Sequence, residues 1–314
     1  MPASSLECRN LRSGLLFISP WLLGFLAFSL YPLISAFLYS FTDYSVLASP
    51  VYIGGDNYQT LIQDELFWKA LFNTVGFAAL SVPLNLIIAC FLALLLNFNV
   101  VGKSVFRTIF FLPSLVPMVC LGVIWRWLLN GEIGPVNQFL QPFVNMTNFL
   151  LGSELVTPSW LEDPVFTKPG LIVASVWCLG HAMIIFLAGM QETPTQLYEA
   201  AEIDGAGFWG KLCHVTIPSI SPYLLFNLIM GLIGSFQIFA VPYVLMNGGI
   251  EPMDGPDRSL LFVATYIFQN AFTNWDMGYA CAISLIFILV VAGLTLSVMK
   301  IAENKVYYAG GSDA

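Results

Sequence analysis

A short polar sequence between two apolar segments sets the organisation of this chain: Leu197-Tyr198-Glu199-Ala200-Ala201-Glu202-Ile203-Asp204-Gly205-Ala206. The segment before it, 169–191, has no charged side chain, and neither does the segment after it, 212–250. Apolar runs of about 20 residues are long enough to cross the ~30 Å hydrocarbon core of a bilayer as helices. The alternation therefore predicts a polar loop at a membrane surface with a membrane span on either side.

Composition places the whole chain in the membrane class. Of its 314 residues, 58% are hydrophobic and 10% are charged, and the mean hydropathy is +0.80. Such a chain lacks the polar surface that keeps an ordinary globular domain soluble. The formal net charge is −8, and the 11 Lys and Arg residues are scattered. Nucleic acid is excluded as a partner on this ground, because phosphate binding requires a clustered basic face.

Six charge-free segments predict six membrane-spanning helices, and therefore an all-α polytopic bundle. The segments are 13–42, 70–102, 108–125, 169–191, 212–250 and 277–299. A seventh uncharged segment, 133–153, contains five amide side chains and two prolines, and amides are costly to bury in lipid. We interpret this segment as an extracytoplasmic loop, and we expect short interfacial helices in the 133–168 region.

The basic residues predict the orientation of the bundle. With the N-terminus inside the cell, seven basic residues fall in cytoplasmic segments and four fall outside. Lys and Arg are enriched in cytoplasmic loops, so this count favours cytoplasmic N- and C-termini. The predicted organisation is a cytoplasmic N-terminus (1–13), a six-helix membrane domain (14–302) and a cytoplasmic C-terminal tail (303–314).

The polar loop, 191–218, is predicted to contain two short helices. Thr193 is expected to cap the first, over 196–203, and Gly205 is expected to end it, because glycine readily takes a positive φ. The second helix is expected over 208–215, before Pro218. Small alanines and acidic side chains on such a loop fit the groove of a soluble partner, and an inert connecting hairpin is the alternative.

The sequence carries no recognisable enzyme or metal signature. It has no P-loop, no Gly-rich dinucleotide fingerprint, no GxSxG elbow and no HExxH pair. The six cysteines form no CxxC pair, and only two histidines could help them to bind a metal. We therefore predict a non-catalytic chain with no bound cofactor and no metal, in which any ATP chemistry comes from another chain.

The loop and its surroundings resemble a known family. Glu199-Ala200-Ala201, Asp204-Gly205-Ala206 and Ile217-Pro218 are similar to the EAA loop of the membrane subunits of binding-protein-dependent ABC importers. Over about 14–302 the chain resembles the carbohydrate-uptake branch, typified by maltose and glycerol-3-phosphate permeases. The matching stretches are Tyr31-Pro32, Ser40-Phe41-Thr42-Asp43-Tyr44, Asp56-Asn57-Tyr58, Asn73-Thr74, Phe106-Arg107-Thr108, Phe111-Leu112-Pro113, Trp125-Arg126-Trp127, Gly234-Ser235-Phe236-Gln237 and Gly278-Tyr279-Ala280.

The resemblance implies a type I ABC importer permease in a bacterial or archaeal inner (plasma) membrane, in contact with membrane lipid. Two permease subunits, either a second homologous chain or a second copy, would form the pore. Two ATPase subunits would hold ATP and Mg²⁺ and sit on the cytoplasmic loops, and an extracytoplasmic solute-binding protein would deliver a sugar. The coupling residues implied by the resemblance are Glu199, Ala200, Ala201, Asp204, Gly205, Ala206 and Pro218.

A sugar path requires polar and aromatic groups on inner helix faces, because sugars present hydroxyl edges and apolar C–H faces. Gly180 and Gln237 fall near positions that line the sugar site in maltose-type permeases, and Ser235, Trp177 and Tyr243 are further candidates. The alternatives are that Gly180 only eases helix packing and that Ser235 only bonds its own backbone.

Three functions stay open at this point: a sugar permease of an ATP-driven importer, an ABC permease for glycerol-3-phosphate, a polyol or another small solute, and an autonomous secondary transporter or channel. No carboxylate lies deep in a predicted span, which disfavours ion coupling. The spans contain no Lys or Arg, so a neutral saccharide suits them better than an organic phosphate. Two outer segments, 57–65 and 253–258, are candidate contacts for the delivering protein.

Overall fold

The computed structural model of this protein describes residues 5–98, 101–152, 154–246, 254–303 and 306. Most of the predicted C-terminal tail, 303–314, therefore lies outside the described residues, as does the first residue of the candidate contact at 253–258. Contacts group the chain into two compact units, one of Met1–Asp64 and Ile267–Leu289, the other of Glu65–Tyr266 and Val290–Ala314.

The prediction of a mostly helical chain is confirmed. The regular elements in chain order are α1 (Ser5–Phe25), α2 (Tyr31–Tyr39), β1 (Thr42–Asp43), β2 (Val51–Tyr52), α3 (Asp56–Gln63), α4 (Glu65–Asn97), α5 (Lys103–Phe111), α6 (Met118–Leu128), α7 (Pro135–Leu151), α8 (Pro164–Val176), α9 (Gly180–Glu192), α10 (Thr195–Ile203), α11 (Phe208–Lys211), α12 (Ile217–Ser219), α13 (Ser221–Phe236), α14 (Ala240–Leu245), α15 (Val263–Phe268) and α16 (Met277–Glu303). Short 3-10 or π-helical turns join several of them.

Three helical segments among the described residues are long and apolar enough to cross a membrane: Ser13–Tyr39, Glu65–Asn97 and Met277–Ala302. Three further candidates are pairs of helices joined at a bend of 100°, 49° or 64°. The pairs are Lys103–Leu115 with Met118–Leu128, Pro164–Val176 with Gly180–Glu192, and Phe208–Ser219 with Ser221–Phe236. The described chain thus has three clear spans, or up to six if each bent pair is one span.

The third predicted span, 108–125, is not one straight helix. Val116 is extended, with φ −71° and ψ 129°, as expected for a residue that precedes a proline, here Pro117. The chain bends by 100° at this point. The 11 residues of α6 cover about 16 Å, which is well short of a bilayer core.

The fifth predicted span, 212–250, is also divided. Its principal helix, α13, begins at Ser221 and ends at Phe236. The backbone departs from helical geometry at Phe239, with φ −141° and ψ −57°, and α14 follows. Residues 247–250 lie outside the described residues.

In the first unit, β1 and β2 pair antiparallel, and polar side chains join them to the flanking helices. The buried Asn57 amide donates to the carbonyls of Ser40 and Thr42 at 2.9 and 3.0 Å. The N–H of Gly278, at the start of α16, donates to the carbonyl of Tyr44 at 3.1 Å. Asn57 and Gly278 both lie in the stretches that resemble the importer permeases, and they hold separate backbone segments of this unit together.

In the second unit, α4 packs against α8, α9 and α13, while α6 packs against α14. Ala89 and Ala93 are one helical turn apart on α4 and completely buried in a cluster with Met183 and Phe186 of α9. Small residues at this spacing let two helix backbones approach closely. A second apolar cluster includes Trp125 and residues of α8 and α14.

A buried amide on α4 fixes the chain that precedes α15. The Asn73 side chain donates to the carbonyls of Arg258 and Leu261, both at 3.0 Å, and accepts from Lys168 Nζ at 2.7 Å. The adjacent Thr74 hydroxyl accepts from the N–H of Val263 at 3.1 Å. These bonds hold the 258–263 segment along α4.

The uncharged 133–153 segment forms one 17-residue helix, α7, so the expectation of several short helices was wrong. Pro135 stands in its first turn, where the missing N–H and fixed φ are tolerated. Gly152, with φ +61°, ends it. These start and stop signals lie 17 residues apart, and Pro142 between them does not end the helix.

Candidate functional site

The first helix of the polar loop, α10, ends as the sequence predicts. Gly205 has φ +79°, and its N–H donates to the carbonyl of Glu202 at 3.0 Å. The N–H of Ala206 reaches back to the carbonyl of Ala201 at 2.8 Å. This pair of bonds closes a Schellman motif, which requires a residue that accepts a left-handed conformation, and Gly205 supplies it.

The start of α10 differs from the prediction. The Thr193 hydroxyl is buried and donates to the carbonyl of Gly189 at 3.2 Å, within the end of α9. Pro194 occupies the capping position, with no side-chain cap. Thr193 therefore does not cap α10, because its side chain satisfies a carbonyl four residues back in the preceding helix.

The second helical segment of the loop is longer than predicted. α11, a π-helical turn at Leu212–Thr216 and α12 follow one another without a break to Ser219. Pro218 lies in the first turn of α12, and the 64° bend falls between Ser219 and Ser221, beyond the proline. The loop therefore joins α13 through an angled connection.

Two side-chain contacts tie the halves of the loop together. Lys211 Nζ lies 3.2 Å from a carboxylate oxygen of Glu202, and the Tyr198 hydroxyl lies 3.1 Å from the Thr216 hydroxyl. The first contact is between partly exposed groups and stabilises the loop by about 0.2–1 kcal/mol. The two contacts cross the loop at different points, so they hold α10 against the following helical segment.

The outward surface of the loop combines acids that make no ion pair in the described part of the chain, Glu199 and Asp204, with large apolar groups. Glu199 and Ala200 are exposed. Ile203 is 87% exposed, Trp209 73% and Leu197 46%. Exposed apolar groups of this size beside polar ones are typical of a protein-binding surface. We did not predict Ile203 or Trp209, although an isoleucine among acidic residues was a visible signal.

The two helices that carry the loop meet at Gly189 of α9. A Cβ atom on this glycine would lie 2.5 Å from the ring of Tyr223 in α13. The Tyr223 hydroxyl also donates to the carboxylate of Glu192 at the end of α9. The ends of α9 and α13 nearest the loop are therefore in direct contact.

A cavity of about 480 Å³ lies in the second unit, among α4, α8, α9, α13 and the chain after α13. The residues that line it include no Lys, Arg, Asp or Glu. Its polar lining consists of Ser81, Asn85, Ser175, Cys178, His181, Asn227, Ser235 and Gln237. A mostly apolar cavity with a few amide and hydroxyl groups suits a neutral, hydroxyl-bearing solute.

The structure brings two of the five sequence-predicted path residues to this cavity, Gln237 and Ser235. Gln237 is exposed, and its side chain makes no hydrogen bond within the described residues. The Ser235 hydroxyl donates to the carbonyl of Leu232 at 2.8 Å, which agrees with the alternative that Ser235 bonds its own backbone. Gln237 therefore offers a full set of amide donors and acceptors, whereas the hydrogen of Ser235 is already engaged.

Gly180 lies behind the cavity lining, at a close helix contact. A Cβ atom there would lie 2.6 Å from Ser114 Oγ and 2.7 Å from Phe111 Cα. The next residue, His181, does line the cavity. The absence of a side chain at Gly180 thus allows α9 to approach the turn that follows α5.

Trp177 and Tyr243 are also absent from the lining. The Trp177 ring packs edge-on against Trp125, with ring centroids 5.9 Å apart. The Tyr243 ring stacks on Phe239, with centroids 5.4 Å apart, and it is Phe239 that lines the cavity. The roles of Gly180, Trp177 and Tyr243 in a solute path stay predictions.

Asn85 of α4 also lines the cavity, and it bonds to a second helix. Its Nδ2 donates to Ser175 Oγ at 3.2 Å, which joins α4 to α8. Its buried Oδ1 has no hydrogen-bond partner within the described residues. A buried unpaired oxygen costs about 1–3 kcal/mol, so Asn85 is a second lining amide with unused bonding capacity.

Comparison with known proteins identifies the family of this chain. Residues 85–304 match the model of the family described as "Binding-protein-dependent transport system inner membrane component". The chain is 35% identical over 298 residues to the probable ABC transporter permease protein YesP of Bacillus subtilis, covering 94% of this chain and 92% of that protein. It is 32% identical over 297 residues to the lactose transport system permease protein LacF of Rhizobium radiobacter, covering 93% and 95%.

This chain is therefore a multi-pass membrane permease, a transport component and not an enzyme. It belongs to the family of inner membrane components of binding-protein-dependent transport systems. Its fold is similar to that of a chain in the crystal structure of a bacterial alginate ABC transporter in complex with an alginate pentasaccharide-bound periplasmic protein. The TM-score is 0.78 at 24% identity, covering 96% of this chain and 98% of that chain.

Proposed function

We propose that this chain is the permease subunit of an ATP-driven importer for a neutral sugar and forms half of the translocation pore. The observation that carries the substrate class is the uncharged cavity with its free Gln237 amide. The names of relatives such as the lactose permease LacF support the same class. An organic phosphate would need cationic partners, and none of the residues that line this cavity is Lys or Arg.

The loop at 191–218 is the docking element for an ATPase subunit, and ATP and Mg²⁺ are held by that partner and not by this chain. Glu199 pairs with a basic residue of the ATPase groove, and Ala200 and Ala201 pack into the groove. The exposed Ile203 and Trp209 extend this contact with apolar area. Asp204, Gly205, Ala206 and Pro218 shape the turn and its connection to α13.

In this proposal each bent helix pair is one span, giving six, and both termini and the docking loop are cytoplasmic. A second permease, homologous or identical, completes the pore, and an extracytoplasmic solute-binding protein delivers the sugar. Closure of the ATPases on ATP would move the loop, and with it α9 and α13, which contact each other at Gly189. The cavity between those helices would then open alternately to the two sides of the membrane.

Reconstitution of the affinity-purified complex tests this function. We expect an ATPase chain to copurify, its hydrolysis to rise with the sugar-loaded binding protein, and labelled neutral di- and trisaccharides to enter proteoliposomes only with ATP. Sugar entry without nucleotide would indicate a secondary transporter or channel. Entry of glycerol-3-phosphate in preference to the sugars would reject the substrate class and leave the docking role intact.

A further inference from the structure

Helix α7 has a long apolar stripe that is not covered within the described part of the chain. Phe139, Phe143, Met146 and Leu150 follow one another at intervals of four, three and four residues, which places them on one face of the helix. Their exposed fractions are 70%, 54%, 60% and 66%. Such a stripe is unfavourable in water, so the helix requires an apolar surface to lie against.

The opposite face of α7 is polar and carries no charge. It consists of Gln138, Gln141, Asn145 and Asn148. The Gln141 amide donates to Asn145 at 3.0 Å, and the Asn148 side chain bonds both backbone polar groups of Leu155 at 2.9 Å. The helix therefore has an apolar side and a mostly hydrophilic side, and the 88% exposed Phe149 lies near their boundary.

The base of α7 is fixed to neighbouring chain by one buried amide. Asn137 donates to the carbonyls of Gly131 and Pro158 at 2.9 and 3.0 Å and accepts from the indole N–H of Trp160 at 2.7 Å. Six residues separate the end of α6 from the start of α7 and can extend over at most about 20 Å. The beginning of the helix thus stays close to the membrane surface that α6 reaches.

We propose that α7 lies along this membrane surface as an interfacial helix, with Phe139, Phe143, Met146 and Leu150 in the headgroup–acyl boundary and the amide face in water. Its length of about 25 Å fits an arrangement in the plane of the membrane. The short connection to α6 keeps the apolar stripe of α7 beside the bilayer, which favours lipid as the surface that covers it. The proposal requires a membrane permease but is independent of the solute and of the ATPase.

Site-directed spin labelling of the intact complex in phosphatidylethanolamine/phosphatidylglycerol proteoliposomes tests this placement. The six native cysteines are first replaced by serine or alanine, and ATP-dependent uptake is checked. A nitroxide is then attached at Phe143→Cys, with Gln141→Cys as the matched control on the opposite face. Collision rates with oxygen, which concentrates in lipid, are compared with those of a water-soluble nickel chelate.

We expect the oxygen-to-nickel collision ratio at residue 143 to exceed that at residue 141 several-fold. Equal ratios at both positions, with free access of nickel, would place α7 in water and overturn the proposal. Shielding of residue 143 from both reagents would overturn it in favour of a protein partner. The pair Met146→Cys and Asn145→Cys repeats the comparison if a variant of the first pair does not assemble.

Discussion

The two halves of the polar loop are bonded to each other, whereas amide groups that face the cavity have no partner within the described residues. The loop is held together by the Glu202–Lys211 ion pair and the Tyr198–Thr216 hydrogen bond. In the cavity, the Gln237 amide and Asn85 Oδ1 have no partner within the described residues. A stiff surface suits a contact that transmits motion to or from another protein. Unpaired neutral groups suit a solute that binds and leaves.

The largest effect is expected at Glu199, an exposed acid of the loop. Because Glu199 has no partner within the described chain, its proposed role lies entirely in the ATPase contact, and breaking such a charge pair at an interface costs about 2–5 kcal/mol. We expect Glu199→Ala to lower ATP-dependent sugar uptake at least tenfold. Uptake in proteoliposomes, with the amount of copurified ATPase, measures this. Normal uptake would remove Glu199 from the docking role.

The next effect concerns the contact between the helices that carry the loop. Gly189→Ala would drive a methyl group into the Tyr223 ring, and overpacking of this kind costs about 1–3 kcal/mol. We expect a lower melting temperature in detergent and reduced uptake. Gly293→Ala is the matched control, because a Cβ there meets nothing within 4 Å. Equal stability of the two variants would show that α9 and α13 are farther apart than described.

A smaller effect distinguishes cavity-lining residues from their neighbours. We expect Gln237→Ala to raise the KM for sugar uptake about tenfold, because the solute would lose hydrogen bonds worth roughly 0.5–1.5 kcal/mol each. Tyr243→Phe removes only a hydroxyl outside the lining, and we expect less than a twofold change. The reverse order of effects would place Tyr243, and not Gln237, on the sugar path.

The smallest effect is expected for the second acid of α10. Glu202→Ala removes a partly exposed ion pair with Lys211 and should cost less than about 1 kcal/mol. Uptake should stay within twofold of the unaltered chain, in contrast to Glu199→Ala. A double-mutant cycle with Lys211→Ala measures the pair directly. A loss as large as that at Glu199 would mean that Glu202 also contacts the partner.

The sequence predicted features with local causes more successfully than features that depend on packing. The end of α10 follows from one glycine, Gly205, because only a residue that tolerates positive φ closes this turn. Thr193 was misassigned because a threonine hydroxyl can either cap the next helix or bond a carbonyl four residues back, and here it bonds to Gly189 in the preceding helix. Local sequence does not decide between such partners.

Membership of the cavity could be predicted only in part, since it depends on the bends of the helices. Because the chain bends by 49° after α8, Gly180 lies at a close helix contact and the next residue, His181, lines the cavity. A shift of one residue rotates a helical side chain by about 100°. Resemblance to a family can place a solute path to within one helical turn. The angle between the helices then decides which side chain lines the cavity.

The Asn73 bonds restrict where the second unit can bend. Separating the 258–261 segment from α4 would remove both carbonyl partners of the Asn73 amide. Each buried group left unpaired costs about 1–3 kcal/mol. The interruption between α8 and α9 and the one before α13 are already bends in the chain, and ordinary backbone hydrogen bonds, such as Cys178 N–H to the Ser175 carbonyl and Ile220 N–H to the Thr216 carbonyl, run through them. We expect the chain to flex at these two interruptions during a transport cycle. We expect α4 and the 258–261 segment bonded to it to move together as a rigid unit.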